Sequence, residues 1–214
     1  MGDLVFLEPN CIKAIPFTTS KVIAEFTGVE HRKIKVAIAK HKTSLETFGL
    51  LASYGAESTG GRPEEIISLN EQQATLLVTF LKNTPIVVAF KVELVRQFFE
   101  MRTELQKRQI GKLDLRPTRR TLTDEVNDNP EHGEWDYKNL INLSYKMATG
   151  KIASQLRKDR GASKKAVALD YMTSEEIALV DKLTYKIAVL YELGMDYHQI
   201  KAMLLNRKMI GKIA

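Results

Sequence analysis

Residues 18–42 read TTSKVIAEFTGVEHRKIKVAIAKHK, and this stretch decides the fold of the N-terminal half. The run TTS supplies N-cap residues, and the apolar residues after it recur at helical spacing, which predicts a short helix. That helix ends near Gly28, because glycine takes the positive φ that a tight corner between helices requires. A second helix is predicted from about Glu30 to Lys42. The pair predicts a helix-turn-helix.

The second predicted helix has an apolar face and a basic face. Ile34, Ile38 and His41 stack on one side at helical spacing. Three cations and a valine lie roughly opposite them, namely Arg32, Lys33, Val36 and Lys40. On a recognition helix, cations contact phosphates or guanine edges and a valine contacts the thymine methyl group. We therefore expect this face, together with Lys35 of the same basic cluster, to contact DNA; the alternative is a solvated helix face.

Three polar residues near the starts of the two helices need a separate interpretation. Thr19 and Ser20 are candidate DNA-binding residues, because the first N–H groups of a helix bind phosphate well. They cap the helix whether or not DNA is present. His31 is interpreted as a helix-start or core residue rather than a base reader.

Two strand-like runs follow the helix pair. They lie at residues 48–54 and 64–69, on either side of Gly60 and Gly61, and this pattern predicts a β-hairpin. A hairpin after a helix-turn-helix is the wing of a winged-helix module. Arg62, near the tip of the hairpin, is expected to face a phosphate.

A long helix is predicted after the hairpin. Asn70 and Gln73 form a capping-box pattern for a helix to Lys82, and Thr84 with Pro85 starts the next one. From there residues step by three or four to about Arg108: Val88, Val92, Val95, Phe99, Arg102 and Gln106. A helix of this length exceeds what a small module needs for its own core, which favours a dimer helix.

Residues 111–121 are polar and basic and contain Pro117, so we expect a basic linker there. Arg119 and Arg120 are candidate DNA-binding residues, since basic arms reach into minor grooves. The alternative is that they keep the linker extended in water.

The predicted fold class is mainly α, with three regions. Residues 1–110 form a winged helix-turn-helix DNA-binding domain that includes the long connecting helix. Residues 111–121 form the linker, and residues 122–214 form a C-terminal helical bundle.

Charge is unevenly distributed along the chain, whose formal net charge is +6. Residues 151–165 hold six cations and one acid, whereas residues 124–136 hold six acids and no Lys or Arg. The basic segment is either a second phosphate-binding surface or a partner of the acidic block. Neutralisation within the protein is the simpler interpretation.

Composition excludes several classes of protein. The chain has 214 residues, 44% hydrophobic and 27% charged, as globular proteins do. The single cysteine, Cys11, excludes an internal disulfide and any cysteine-based zinc site. The sequence has no HExxH motif, nucleophile elbow or glycine-rich phosphate loop, and no apolar run long enough to span a membrane. We expect a cytoplasmic protein that is not an enzyme and binds no metal or cofactor.

Several motifs resemble a known family. These motifs are TSxxIA at residues 19–24, LNE at residues 69–71 and FKxxLVxxFxxM at residues 90–101. Together they resemble the phage regulatory protein family called Rha over about residues 15–108. That resemblance implies a prophage-encoded, DNA-binding transcriptional regulator with a winged-helix fold and no catalytic residue. The C-terminal half resembles helical domains appended to phage antirepressors.

Two functions remain open. The first is a transcriptional regulator that binds double-stranded DNA as a homodimer, with a phage or host protein as a further partner of the C-terminal domain. The alternative is a protein-binding antagonist, such as an antirepressor or an inhibitor of a host defence complex. In that alternative the acidic segment around Trp135 masks or mimics a partner.

Overall fold

The structure is a computed structural model that describes residues 2–55, 64–129 and 135–210. As predicted, the fold is mainly helical, with a small antiparallel sheet in the N-terminal half. The chain divides into two compact units. The N-terminal unit is Met1–Glu8 with Lys13–Thr103, and the C-terminal unit is Pro9–Ile12 with Glu104–Ala214.

The N-terminal unit places a pair of helices against a three-stranded sheet of order β1-β3-β2. Both strand pairs are antiparallel, with Thr18 opposite Leu69 and Ser53 opposite Ile67. The elements are, in order, β1 (Phe17–Thr19), α1 (Ser20–Thr27), α2 (His31–Lys40), α3 (Lys42–Glu46), β2 (Ala52–Gly55), β3 (Glu65–Asn70), α4 (Glu71–Thr79) and α5 (Pro85–Asp128).

The corner between α1 and α2 forms as the sequence predicts. Thr19 Oγ1 accepts a hydrogen bond from the N–H of Val22 at 3.2 Å and caps α1. Gly28 ends α1 with φ of 69°, in the left-handed region that glycine adopts without strain. The core beneath the pair consists of fully or almost fully buried apolar side chains from several elements, including Ile23, Ile34, Ile38, Leu45, Leu69, Leu77 and Phe90.

Two short elements in this unit differ from the prediction. Residues 17–19 form β1 and pair with the end of β3, whereas the sequence suggested only a helix cap. The second helix ends at Lys40, and residues 42–46 form the separate helix α3. Both differences arise from packing: β1 needs a partner about fifty residues away, and α3 buries Leu45 in the core.

Helix α5 begins after Thr84 as predicted but continues well beyond Arg108. Residues 111–121, where we expected a linker, are helical. Pro117 lies inside this helix, where it removes one backbone hydrogen bond. Leu115 and Leu122 on either side of it are buried, and this burial offsets the loss.

The described residues of the C-terminal unit form helices joined by turns, with no strand among them. After the end of α5 it contains α6 (Asp136–Thr149), α7 (Ala153–Asp159), a 3₁₀ helix (Ala168–Tyr171), α8 (Ser174–Glu192) and α9 (Tyr197–Ile210). Thr173 and Glu176 form a capping box that begins α8. At Gly111 an added Cβ would lie 3.0 Å from Cγ2 of Ile177, so glycine permits α5 and α8 to approach closely.

The domain boundaries at residues 110 and 122 remain a prediction.

Among the described helices, none combines the length and the apolar character that crossing a membrane requires.

Candidate nucleic-acid interface

Helix α2 has the two faces that its sequence predicts. Ile34 and Ile38 are buried at 0% and 2% exposure, whereas Val36 is 60% exposed. Arg32, Lys33 and Lys40 are exposed on the same side as Val36. We call these four residues the basic face of α2.

The cations of the basic face differ in their partners. Lys33 pairs with Glu30 at 2.8 Å, and both side chains are largely exposed, so the pair is weak and easily exchanged for another anion. Within residues 2–55, 64–129 and 135–210, no carboxylate lies within ion-pair distance of Arg32 or Lys40.

A groove separates α2 from strands β2 and β3. Its volume is about 460 Å³. Arg32 and Lys35 line it on the α2 side and Glu65 on the β3 side, with Ile38 and Ile67 among its apolar residues. Lys35 is half-buried, so this side chain lies along the groove rather than on the basic face.

A hydrogen-bonded network connects the start of α2 to α1 and β3. Ser20 Oγ lies 2.8 Å from Nε2 of His31, and Nδ1 of His31 lies 2.6 Å from Oε1 of Glu64. The N–H of Ile67 donates to Ser20 Oγ at 3.0 Å. All groups are satisfied when the serine hydroxyl donates to Nε2 and the Nδ1 hydrogen donates to the carboxylate. The hydrogen bond from His31 lowers the pKa of Glu64.

The geometry of this network indicates a structural role rather than a catalytic one. Serine, imidazole and carboxylate follow one another as they do in hydrolase triads. Ser20, however, is fully buried, and its oxygen already accepts a backbone hydrogen bond. A substrate therefore has no access to this hydroxyl. His31 occupies the helix-start position that we expected, but its link to Glu64 was missed because the two residues are far apart in sequence.

The phosphate contacts expected from the backbone N–H groups at Thr19 and Ser20 remain a prediction, whereas the structure gives the two side chains other roles. Both side chains are buried, one as the cap of α1 and the other in the network with His31. They position α1 and α2 and do not lie on the surface. Arg62, the candidate at the hairpin tip, lies outside the described residues; the strands on either side of it pair as predicted.

The N-terminal unit matches a known protein family. Residues 18–103 match the phage regulatory protein Rha family. The Rha match covers α1 to α4, strands β2 and β3 and the first part of α5. It confirms the resemblance of the N-terminal half that the motifs indicated. A comparison with curated proteins finds no match to the chain.

The candidates in α5 lie beyond the Rha match. Arg119 is half-buried: its Nη2 donates to the hydroxyl of Tyr145 at 2.5 Å, and its guanidinium lies 5.7 Å from the centre of that ring. Arg119 therefore lies in a helix, where it packs against α6, rather than in an extended linker, and its role in DNA binding remains a prediction. Arg120 is exposed on α5, and its role in DNA binding remains a prediction.

The basic segment at residues 151–165, also outside the Rha match, is partly neutralised. Lys151 pairs with Asp159 at 2.5 Å. Arg160 binds both carboxylate oxygens of Glu176, at 2.8 and 2.5 Å. Burial raises the pKa of Glu176, but hydrogen bonds from Arg160 and from the N–H of Thr173 outweigh burial and lower it. The acids in these pairs, Asp159 and Glu176, lie outside the acidic block at residues 124–136 that we considered as the partner.

Proposed function

We propose that the N-terminal unit is a winged helix-turn-helix that binds double-stranded DNA and that the chain is a phage or prophage transcriptional regulator acting as a homodimer. In this proposal α1 and α2 form the helix-turn-helix, and α2 enters the major groove. The hairpin of β2 and β3 is the wing, and it contacts the phosphate backbone. The Rha match supports a phage regulatory role for this half of the chain.

The observation that carries the proposal is the basic face of α2. Arg32 and Lys40 are exposed on one helix surface, and each is without an ion-pair partner among the described residues. Such cations release counterions from DNA when they contact phosphates, which supplies much of the binding free energy. Val36 between them offers the methyl groups that contact thymine. Contact with a DNA duplex explains this combination of exposed cations and an exposed valine better than a helix face covered only by water.

A binding titration tests the proposal. The full chain is titrated onto a fluorescent random-sequence duplex at low salt, and the anisotropy is followed. We expect binding by the wild type, and binding roughly ten- to a hundredfold weaker for the double variant Arg32→Ala with Lys33→Ala, which corresponds to about 0.7–1.4 kcal/mol for each of the two lost phosphate contacts. Lys164→Ala with Lys165→Ala removes the same charge from the C-terminal unit and serves as the matched control.

The control is expected to bind within about threefold of the wild type, because surface charges away from the interface change affinity only slightly. A wild type that does not bind the duplex at low salt contradicts the proposal. So does an equal loss in the two double variants. Selection of bound sequences from a random DNA pool then gives the operator and the spacing of its half-sites.

One observation favours a second function, a protein-binding antagonist. A groove of about 250 Å³ lies between α8 and α9 and is lined mainly by apolar side chains, among them Tyr185, Val189 and Met203. All three are exposed, and exposed apolar grooves of this kind accommodate partner helices. Under this alternative the chain binds a repressor or a host protein. The same titration separates the two functions, because a pure antagonist does not bind the duplex. On a heparin column such a protein shows only weak retention.

A further inference from the structure

The network of Ser20, His31 and Glu64 ties the start of helix α2 to strand β3. It begins at the N–H of Ile67 in β3, which donates to Ser20 Oγ at 3.0 Å, and passes over 2.8 Å from that oxygen to Nε2 of His31. It returns to the same end of β3 at Glu64, whose Oε1 lies 2.6 Å from Nδ1 of His31. Helix α1, helix α2 and strand β3 therefore meet at one imidazole.

Ser20 takes the place of a strand residue in this network. Strand β1 ends at Thr19, which stands opposite Ser68, so the next pair of the ladder would join residues 20 and 67. Helix α1 begins there instead, and the side chain of Ser20 supplies the acceptor that another strand residue would have supplied to Ile67. The helix pair is thus fixed to the sheet through a hydroxyl, and that hydroxyl needs an acceptor for its own hydrogen.

Glu64 determines which nitrogen of the imidazole carries the hydrogen. An ionised carboxylate only accepts, so its contact with Nδ1 of His31 places the ring hydrogen there and leaves Nε2 to accept from Ser20. The His31 side chain is only 13% exposed, so water competes little for these bonds, whereas Glu64 is 46% exposed. Without Glu64 the hydrogen can move to Nε2, and the Ser20 hydroxyl then lacks its acceptor.

The charge of Glu64 has the opposite effect on DNA binding from its hydrogen bond. The hydrogen bond from His31 is the main cause that lowers the pKa of Glu64, against a smaller effect of burial, and the charges of Lys21 and Lys35 lower it further. Glu64 is therefore ionised at neutral pH. An acid beside cations of α1 and α2 repels phosphates by its charge alone. Removing Glu64 strengthens DNA binding if only its charge matters and weakens DNA binding if its hydrogen bond matters more.

We propose that His31 is a positioning residue for DNA binding, whose imidazole, held by Glu64, fixes the start of the recognition helix α2 against the wing strand β3. This inference deepens the DNA-binding role of the proposed function and rests on it. Arg32 follows His31 directly, and the first residues of a recognition helix are those that contact base edges. A displaced His31 moves these residues relative to the wing, so α2 and the wing no longer fit one duplex together.

Two neighbouring variants with opposite expected effects test the proposal. Glu64→Ala and Glu65→Ala each remove one exposed carboxylate at the same end of β3, and Glu64 is the one whose carboxylate contacts His31. Both are titrated onto the fluorescent duplex at low salt, with circular dichroism as the check on folding. We expect Glu64→Ala to bind about three- to tenfold more weakly than the wild type, because a hydrogen bond to a charged group is lost.

The control variant loses a repulsive charge and nothing else. Glu65→Ala is therefore expected to bind the duplex as tightly as the wild type or up to about threefold more tightly. Equal affinities of Glu64→Ala and Glu65→Ala, or tighter binding by Glu64→Ala than by the wild type, overturn the proposal.

Two further variants separate positioning from a general loss of structure. Glu64→Gln removes the charge but keeps an oxygen that accepts from Nδ1, so it is expected to bind at least as tightly as the wild type. Adding Glu64→Ala to His31→Ala should weaken binding no further, since Glu64 acts through the imidazole. A Glu64→Gln that binds as weakly as Glu64→Ala overturns the proposal, and so does an undiminished effect of Glu64→Ala in the His31→Ala background. If His31→Ala does not fold, the Glu64 and Glu65 variants still decide.

Hydrogen exchange tests the network without DNA. The exchange rate of the Ile67 amide is measured relative to that of Leu77, which is buried in α4 of the same unit. We expect Glu64→Ala to speed the exchange of Ile67 by about threefold or more, because its acceptor is less firmly held. An unchanged rate overturns the link between α2 and β3.

The outcomes distinguish the role of His31 from DNA binding itself. Faster exchange of Ile67 in Glu64→Ala, in a protein whose wild type does not bind the duplex, supports the link between α2 and β3 and contradicts the DNA-binding proposal. Duplex binding that depends on Arg32 but is the same in the wild type and Glu64→Ala supports DNA binding and overturns the role of His31.

Discussion

Two basic segments of this chain resemble each other in sequence and differ in structure. In the first, residues 30–42, five cations stand against one acid; in the second, residues 151–165, six stand against one. Each segment holds paired and unpaired cations among the described residues, but Arg32 and Lys40 on one face of α2 have no ion pair, whereas Arg160 of the second segment is held by an acid sixteen residues away. The comparison teaches that local charge counts do not identify a phosphate-binding surface. The position of the acids in three dimensions does.

The physical reason is competition. A cation that already binds a carboxylate must give up that bond before it binds a phosphate, so its net gain from DNA is small. A solvated cation gives up only water and loosely held ions. Arg160, with both guanidinium arms on Glu176, belongs to the first class. Arg32 belongs to the second.

The sharpest test of this comparison reverses charge in each segment. Arg32→Glu with Lys40→Glu is expected to weaken duplex binding more than a hundredfold, because it replaces two attractions by two repulsions. Lys158→Glu with Lys164→Glu changes the net charge by the same amount in the C-terminal unit, away from the basic face of α2, and is expected to weaken binding less than about tenfold. Anisotropy titrations with one duplex measure both. A comparable loss in the two variants erases the distinction between the segments.

Stability is expected to show the opposite pattern. Arg160→Ala leaves Glu176 partly buried without its partner and also removes a hydrogen bond to the carbonyl oxygen of Tyr171. We expect it to lower the free energy of unfolding by about 1–3 kcal/mol. Arg32→Ala, on an exposed helix face, is expected to change it by less than about 0.5 kcal/mol. Urea unfolding measures both, and a stability loss at Arg32 as large as at Arg160 contradicts the assignment.

Acid titration of stability sharpens the account of Glu176. Its pKa in the folded protein lies below the unfolded value of 4.5. Its contribution to stability is therefore complete above that value and is lost as the pH falls through the folded pKa. The difference in unfolding free energy between the wild type and Glu176→Gln should be largest near neutral pH and shrink as the pH falls below about 4.5. A difference that stays constant with pH contradicts the paired carboxylate; the exposed neighbour variant Glu175→Gln is the control.

A small effect is expected at Lys151. Both side chains of its ion pair with Asp159 are exposed, and exposed ion pairs contribute about 0–1 kcal/mol to the free energy of unfolding. Lys151→Ala should therefore change the free energy of unfolding by less than about 1 kcal/mol, and clearly less than Arg160→Ala does. Urea unfolding of the two variants at neutral pH gives the ranking. A larger loss of stability in Lys151→Ala than in Arg160→Ala would show that solvent exposure does not determine how much each ion pair stabilises the protein.

Local signals in the sequence were sufficient for much of the fold. The N-cap at Thr19 and the left-handed glycine at Gly28 define α1, and the capping box of Asn70 with Gln73 begins α4. Each of these signals lies within a few residues of the structure that it specifies. The two faces of α2 were predictable for the same reason, since helical periodicity alone separates Ile34 from Arg32.

Features that depend on distant contacts could not be predicted. Strand β1 needs β3, and the network of Ser20, His31 and Glu64 joins three segments. The sequence around Pro117 favours a linker, and only the burial of residues such as Leu115 keeps that part of α5 helical. Arg119 is exposed in any extended chain and becomes half-buried only because that helix forms. In each case tertiary packing overrides the local preference.

The salt dependence of duplex binding tests the central claim most directly. The logarithm of the association constant is plotted against the logarithm of the salt concentration for the wild type and for Arg32→Ala with Lys40→Ala. If the basic face of α2 contacts phosphates, the wild type shows a steep negative slope, and the variant loses about one unit of slope for each cation that contacted a phosphate. An unchanged slope in the variant, with binding otherwise intact, would show that DNA is bound by another surface.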